Sequence, residues 1–204
     1  MSVTLKKNLM LLKPLPLLAL YALITLGCKD SKKPSHSEHQ HHREMKKEGP
    51  SSTKGSIPRT FAMTLVDGAH IHIDYSAPNT NGKVHFGETV PYGEIWQAGA
   101  GNATWFETNK DLLIKGKVLK AGRYGFFTIP SEAEWTVIFN SIWEQNGTEE
   151  YNPNEDILRF KLKPEMISPS KEKLTYQVKQ TGDREATISL SWASISIRFK
   201  ALVN

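Results

Sequence analysis

A chain of 204 residues with 39% apolar side chains has material for one folded domain of ordinary size and an appendage, and excludes two full domains. Its single cysteine, Cys28, excludes an internal disulfide and a cysteine-rich zinc site. The formal charge of +5 is unevenly spread: residues 56–204 hold 16 basic and 17 acidic side chains, so the part that folds is near neutral and nucleic acid is not an expected partner.

At the start of the chain, Lys6, Lys7 and Lys13 precede or flank an apolar run of twelve residues from Leu15 to Leu26. A helix needs about 20 apolar residues to cross a bilayer, so residues 1–27 read as a secretory signal peptide and not as a membrane span. Gly27-Cys28 at its end resembles the lipobox of bacterial lipoproteins, with Thr25 where leucine is usual. The resemblance implies cleavage before Cys28 and acylation of its thiol by groups such as palmitate. With about 0.8 kcal/mol per buried methylene, several acyl chains hold a protein at a membrane without a transmembrane helix. The expected location is the cell envelope, anchored to a membrane, most simply the outer one.

Residues 28–56 contain the anchor cysteine and then a stretch with almost no apolar residue. It cannot bury enough surface to offset its ordering entropy, and is expected to be a disordered tether. The tether holds His36, His39, His41 and His42, a tract able to bind Zn²⁺ or Cu²⁺ loosely but equally read as a solvated linker.

From residue 57 to 204 the chain is built of short alternating runs: "TFAMTLV", "HIHIDYS", "ATWFET", "DLLIKGKVL", "GRYGFFTI", "EWTVIFN", "DILRFKLK", "KLTYQVKQ", "EATISLSW" and "SISIRFK". Turn residues separate them, including Asp67-Gly68, "NTNG" at 79–82 and Gly182-Asp183. No long stretch has helical spacing of apolar residues. The expected fold is therefore all-β, a single antiparallel β-sandwich domain over 57–204, with a long Gly/Pro-rich loop from 76 to 102.

Several elements in this region, Tyr75-Ser76 with Pro78, Phe86-Gly87, "VPYG" at 90–93, Trp96, Gly99-Ala100, Ala103-Thr104 and "AGRYGFFTIP" at 121–130, stand in the order of a known pattern. The chain from about 58 to 200 resembles the bacterial family called domain of unknown function 2911, found in exported proteins of Bacteroidota. That resemblance implies the domain and its export, but no activity. The family pattern places arginines where this chain has Lys83 and Gln97, so a bidentate hold on an anion is weakened here.

Two candidate sites follow from the residues themselves. In "AHIHIDYS", His70, His72 and Asp74 occupy alternate positions, so a strand sends all three to one face. Residues two apart can share a divalent metal, with His85 in the long loop as a fourth ligand; the wet side of a strand explains the same pattern. Around the long loop, Tyr75, Tyr92, Trp96, Ser76, Gln97, Asn102 and Thr104 combine flat amphipathic rings with hydrogen-bonding groups, which suits a sugar-like or other polar ligand. Core packing and loop satisfaction are the competing readings of these residues.

Catalysis has little support: the domain has no thiol nucleophile, no Gly-x-Ser-x-Gly elbow, no phosphate loop and no His-Glu-x-x-His. No catalytic residue is assigned, and no cofactor beyond the metal that His70, His72 and Asp74 would hold. The acidic turn "EQNGTEEYNPNED" is expected to be solvated, or at best calcium-friendly. The leading expectation is a non-catalytic, membrane-anchored module that binds a small polar or carbohydrate-like ligand, or an envelope glycan or protein partner, through residues 76–105. The competing class is a metal-dependent enzyme, and the third a purely structural envelope protein.

Overall fold

A computed structural model describes residues 57–83 and 85–204. Cys28, the signal segment and the histidines of the tether fall outside the described residues. The described chain folds into ten strands and one short 3-10 turn, Pro153–Glu155: β1 Arg59–Val66, β2 Ala69–Ser76, β3 Trp105–Thr108, β4 Leu112–Ile114, β5 Lys117–Leu119, β6 Gly122–Ile129, β7 Trp135–Asn140, β8 Asp156–Leu162, β9 Glu165–Gln180 and β10 Glu185–Val203.

These strands form two antiparallel sheets, β1-β2-β3-β6-β7-β8 and β5-β4-β10-β9. The molecule is the expected all-β sandwich. Alternation explains the layering: on β2, Ala69, Ile71, Ile73 and Tyr75 are buried between the sheets while the intervening residues face outward. The same rule buries Ile188, Leu190 and Trp192 from β10. Asp67-Gly68 closes the β1–β2 hairpin with both residues at positive φ (47° and 70°), the geometry that a two-residue turn between right-twisted strands requires. Lys115-Gly116 makes a second such turn, so the run "DLLIKGKVL" is two strands and not one.

The last two strands are longer than the sequence pattern shows. "EATISLSW" and "SISIRFK" are one strand, β10, kinked by register shifts around Ala193, which itself has φ of 51°. β9 begins at Glu165, through a stretch with Pro169 that the alternation does not mark. It is an edge strand, where proline costs no ladder bond and side chains need not be apolar.

The long segment 77–104 is not an excursion into solvent but a strap across one end of the sandwich. It is pinned first to β9, where Thr80 N donates to Glu172 O at 2.7 Å and Leu174 N to Pro78 O at 3.0 Å. It is then pinned to β6, where Trp96 and Thr128 exchange backbone hydrogen bonds of 2.8 and 2.9 Å. Between these points it sends Phe86 and Trp96 inward onto Trp135 and Trp192, an aromatic cluster with ring centres 4.7 to 6.4 Å apart. Large rings fill this part of the core with few rotatable bonds to order.

Candidate functional site

The outer face of the larger sheet carries a row of stacked rings that follows the strand order. Phe61 of β1 stacks on His72 of β2 at 5.3 Å between ring centres, and His72 on Trp105 of β3 at 5.0 Å, with planes within 17° of parallel. Arg123 of β6 continues the row, its guanidinium carbon 4.3 Å from the centre of Trp105 and 4.6 Å from that of Trp143. Since β3 lies between β2 and β6, His72 and Arg123 approach Trp105 from opposite sides and cover both its faces. Trp105 therefore offers only its edge to a ligand.

The residues of the metal expectation have other neighbours in this arrangement. His72 is held in the stack, and Asp74 accepts from Arg59 Nε while Arg59 Nη2 donates to the Asp74 carbonyl at 2.9 Å. His70 remains on the outer face beside His72, with ring centres 5.7 Å apart. His85 does not fold back to them: it is buried, Nε2 donates to Thr80 O at 2.8 Å, Nδ1 meets Thr89 Oγ1 at 2.9 Å, and the ring stacks on Trp192. Among the described residues no three His, Cys, Asp or Glu side chains are grouped to hold a metal ion.

What the outer face does build is a cleft. The end of the strap and the segment between β7 and β8 are joined by backbone bonds, Ala103 N to Gln145 O at 3.0 Å and Gly147 N to Gly101 O at 2.9 Å. Arg59 clamps this pair of segments to the sheet, since beyond Asp74 its Nη2 donates to Ala103 O at 3.2 Å and its Nη1 to Asn102 O at 3.4 Å. Trp143 descends on the sheet where β6 has Gly125: a Cβ there would sit 2.7 Å from Ile142 O and 2.6 Å from Phe127. Glycine is needed at this point because the covering backbone passes too close for any side chain.

The result is a cleft of about 460 Å³ lined by Arg59, Asn102, Ala103, Trp105, Trp143, Glu144, Gln145, Asn146 and Glu150. A neighbouring hollow of about 510 Å³ shares Arg59, Asn102 and Asn146 and adds Ile57, Pro58, Ser76 and Gly101. Two indoles, three amides, two carboxylates and a guanidinium with an N–H left over after its four bonds form a wall suited to a polyhydroxylated ligand.

The residues expected to bind a ligand separate into four groups. Asn102 lines both the cleft and its neighbour, and Ser76 lines the neighbour alone. Tyr75, Trp96 and Thr104 are core: the Tyr75 hydroxyl accepts from Tyr176 N at 3.3 Å, Trp96 Nε1 donates to Gly99 O at 3.1 Å, and Thr104 Oγ1 donates to Ala98 O at 3.1 Å. Gln97 is half-buried, and its backbone carbonyl accepts from Thr104 N at 3.3 Å. Tyr92 lies elsewhere, lining a hollow of about 520 Å³ with His85, Phe86 and Met166.

Arg59, Trp143, Gln145, Asn146 and Glu150 escape a sequence reading, because nothing local links the head of β1 to a turn more than 80 residues on. The one available signal is Trp143 itself, a large ring set in a polar turn. That turn is also not merely solvated. Asp156 accepts from Asn140 Nδ2 at 2.7 Å, Tyr151 Oη at 2.9 Å and Arg159 Nη1 at 2.9 Å, so it is a strut that fixes the floor of the turn. Burial, and next the bond to Asp156, push the Tyr151 phenol up to about 12. Burial lowers the His72 imidazole below its ordinary 6.5, against the attraction of Asp74.

No curated protein and no solved structure matches the chain. The sequence profile of the family described as "Protein of unknown function (DUF2911)" matches residues 57–201, which covers both sheets, the strap and every residue of the cleft. The chain belongs to the DUF2911 family.

Proposed function

We propose that the protein is an envelope lipoprotein, anchored through Cys28 to a membrane, most simply the outer one, whose sandwich domain binds a carbohydrate-like ligand without transforming it. The observation that carries the binding reading is the cleft, where the indole of Trp143 stands among Arg59, Asn102, Asn146 and Glu150 on a rigid sheet. A sugar presents an apolar C–H face to an indole and hydroxyls to amides and carboxylates, and each pairing needs the other close by. Arg59 binds the strap and β2 with its other donors, so the wall is preorganised and little ordering is left to ligand binding.

The anchoring reading is supported by the sequence "LGCKD" after a short apolar core. Its test is the mass of the N-terminal peptide isolated from membranes, which should begin at an acylated Cys28. The binding reading is tested by intrinsic fluorescence of the domain against a panel of cell-envelope glycans. Trp143→Ala should abolish a response seen in the parent chain, while Tyr92→Ala, in the other hollow, should leave it intact. Loss with Tyr92→Ala and retention with Trp143→Ala would move the site to the strap.

A further inference from the structure

We infer that the outward row of β1, Phe61, Met63 and Leu65, rests on the surface of a phospholipid bilayer, an inference that builds on the membrane-anchored reading above. The three side chains are 58%, 44% and 63% exposed. They stand on alternate positions of one strand, so they share a face, opposite Asp74, His72 and His70 of β2. The row is no core face turned outward by a slip in register, because Ala62 and Val66 of the same strand pack in the core. Three large apolar side chains in line on the outermost strand of a sheet mark a surface that meets a partner.

By composition, residues 29–56 offer the row few apolar side chains. Residues 29–56 carry one large apolar side chain, Met45, among seven basic and four acidic ones. That composition instead points to the partner. The segment brings a net positive charge along the chain to Ile57, four residues before Phe61, and basic residues beside exposed apolar ones are attracted to an anionic lipid surface. A second copy of the chain would fit the apolar row but would bring two basic segments together. Beside the row, His72 and Trp105 are stacked face to face and turn ring edges outward, the amphipathic arrangement favoured at the level of lipid headgroups.

The test uses the processed chain, residues 28–204, with Cys28→Ser so that no acyl group forms. It is sedimented with vesicles of phosphatidylethanolamine and phosphatidylglycerol. The parent should partition onto the vesicles, and Phe61→Ser/Met63→Ser/Leu65→Ser should partition at least about tenfold less, since binding scales with the apolar area inserted. These positions are exposed, so the triple variant should keep the parent's circular dichroism. As a second measurement, a polarity-sensitive dye on Met63→Cys should shift to the blue with vesicles, and one on Lys179→Cys, on an exposed position of the other sheet, should not. Equal partition of parent and triple variant, no shift at position 63, or a dimer in solution that Phe61→Ser dissolves would each overturn the inference. Because no acyl group takes part, this test and the mass analysis of Cys28 fail independently.

Discussion

The guanidinium carbon of Arg123 lies 4.3 Å from the centre of the Trp105 ring, on the side away from His72, and the same group covers Trp143. A cation shared by two indoles joins the sheet to the turn that forms the outer wall of the cleft. Glu107 holds the guanidinium from the side at 2.8 Å, a half-exposed pair that contributes little by itself. Replacing Arg123 by Met keeps the aliphatic stem and removes the charge. The expected loss is about 0.5–1 kcal/mol in a denaturant midpoint, together with a changed near-ultraviolet dichroism from the two tryptophans.

Arg59→Ala removes the clamp between β1, β2 and the strap. It leaves a carboxylate and two strap carbonyls without their donor, and hydrogen bonds to charged groups contribute about 1.5–3 kcal/mol when sheltered, so about 1–2 kcal/mol is expected at this partly exposed site. The glycan response should fall more steeply than stability does, because the strap end moves. A variant with parental ligand response would show that Arg59 only braces the fold.

Gly125→Ala tests how the turn is seated. A methyl group at this position meets Ile142 O and the Phe127 ring at 2.7 and 2.6 Å, so either the sheet or the turn must give. Overpacking of this kind costs about 1–3 kcal/mol. Thermal unfolding measures the cost, and a loss of the Trp143 contribution to the fluorescence response identifies the turn as what moved.

The pH dependence follows from His72. Its folded-state value lies below 6.5 because burial disfavours the charged ring, so the unfolded chain takes up this proton more readily than the folded one. Stability from this group is therefore full above 6.5 and declines as pH falls through the lowered value. His72→Gln should flatten the unfolding midpoint between about pH 7 and 5. An imidazole titration by nuclear magnetic resonance with its midpoint above 6.5 would contradict the assignment.

The period of the side chains was enough to determine the all-β sandwich, the faces of β2 and the turns at Asp67-Gly68 and after Ile129, because alternation and turn chemistry are local properties of the chain. The outward placing of His70, His72 and Asp74 follows from the same rule. Their neighbours there do not: the rings that stack on His72, Phe61 and Trp105, arrive from strands on either side. The full length of β9 was hidden for a related reason, since an edge strand answers to fewer neighbours and tolerates Pro169. Tertiary structure alone decided the site. It buried Tyr75, Trp96 and Thr104, and Ser76 with them, left Asn102 at the surface, and set beside Asn102 both Arg59 and Trp143, which are 84 residues apart in the chain. Contacts of that separation depend on which strands pair and which loops cross, and no local pattern carries that information.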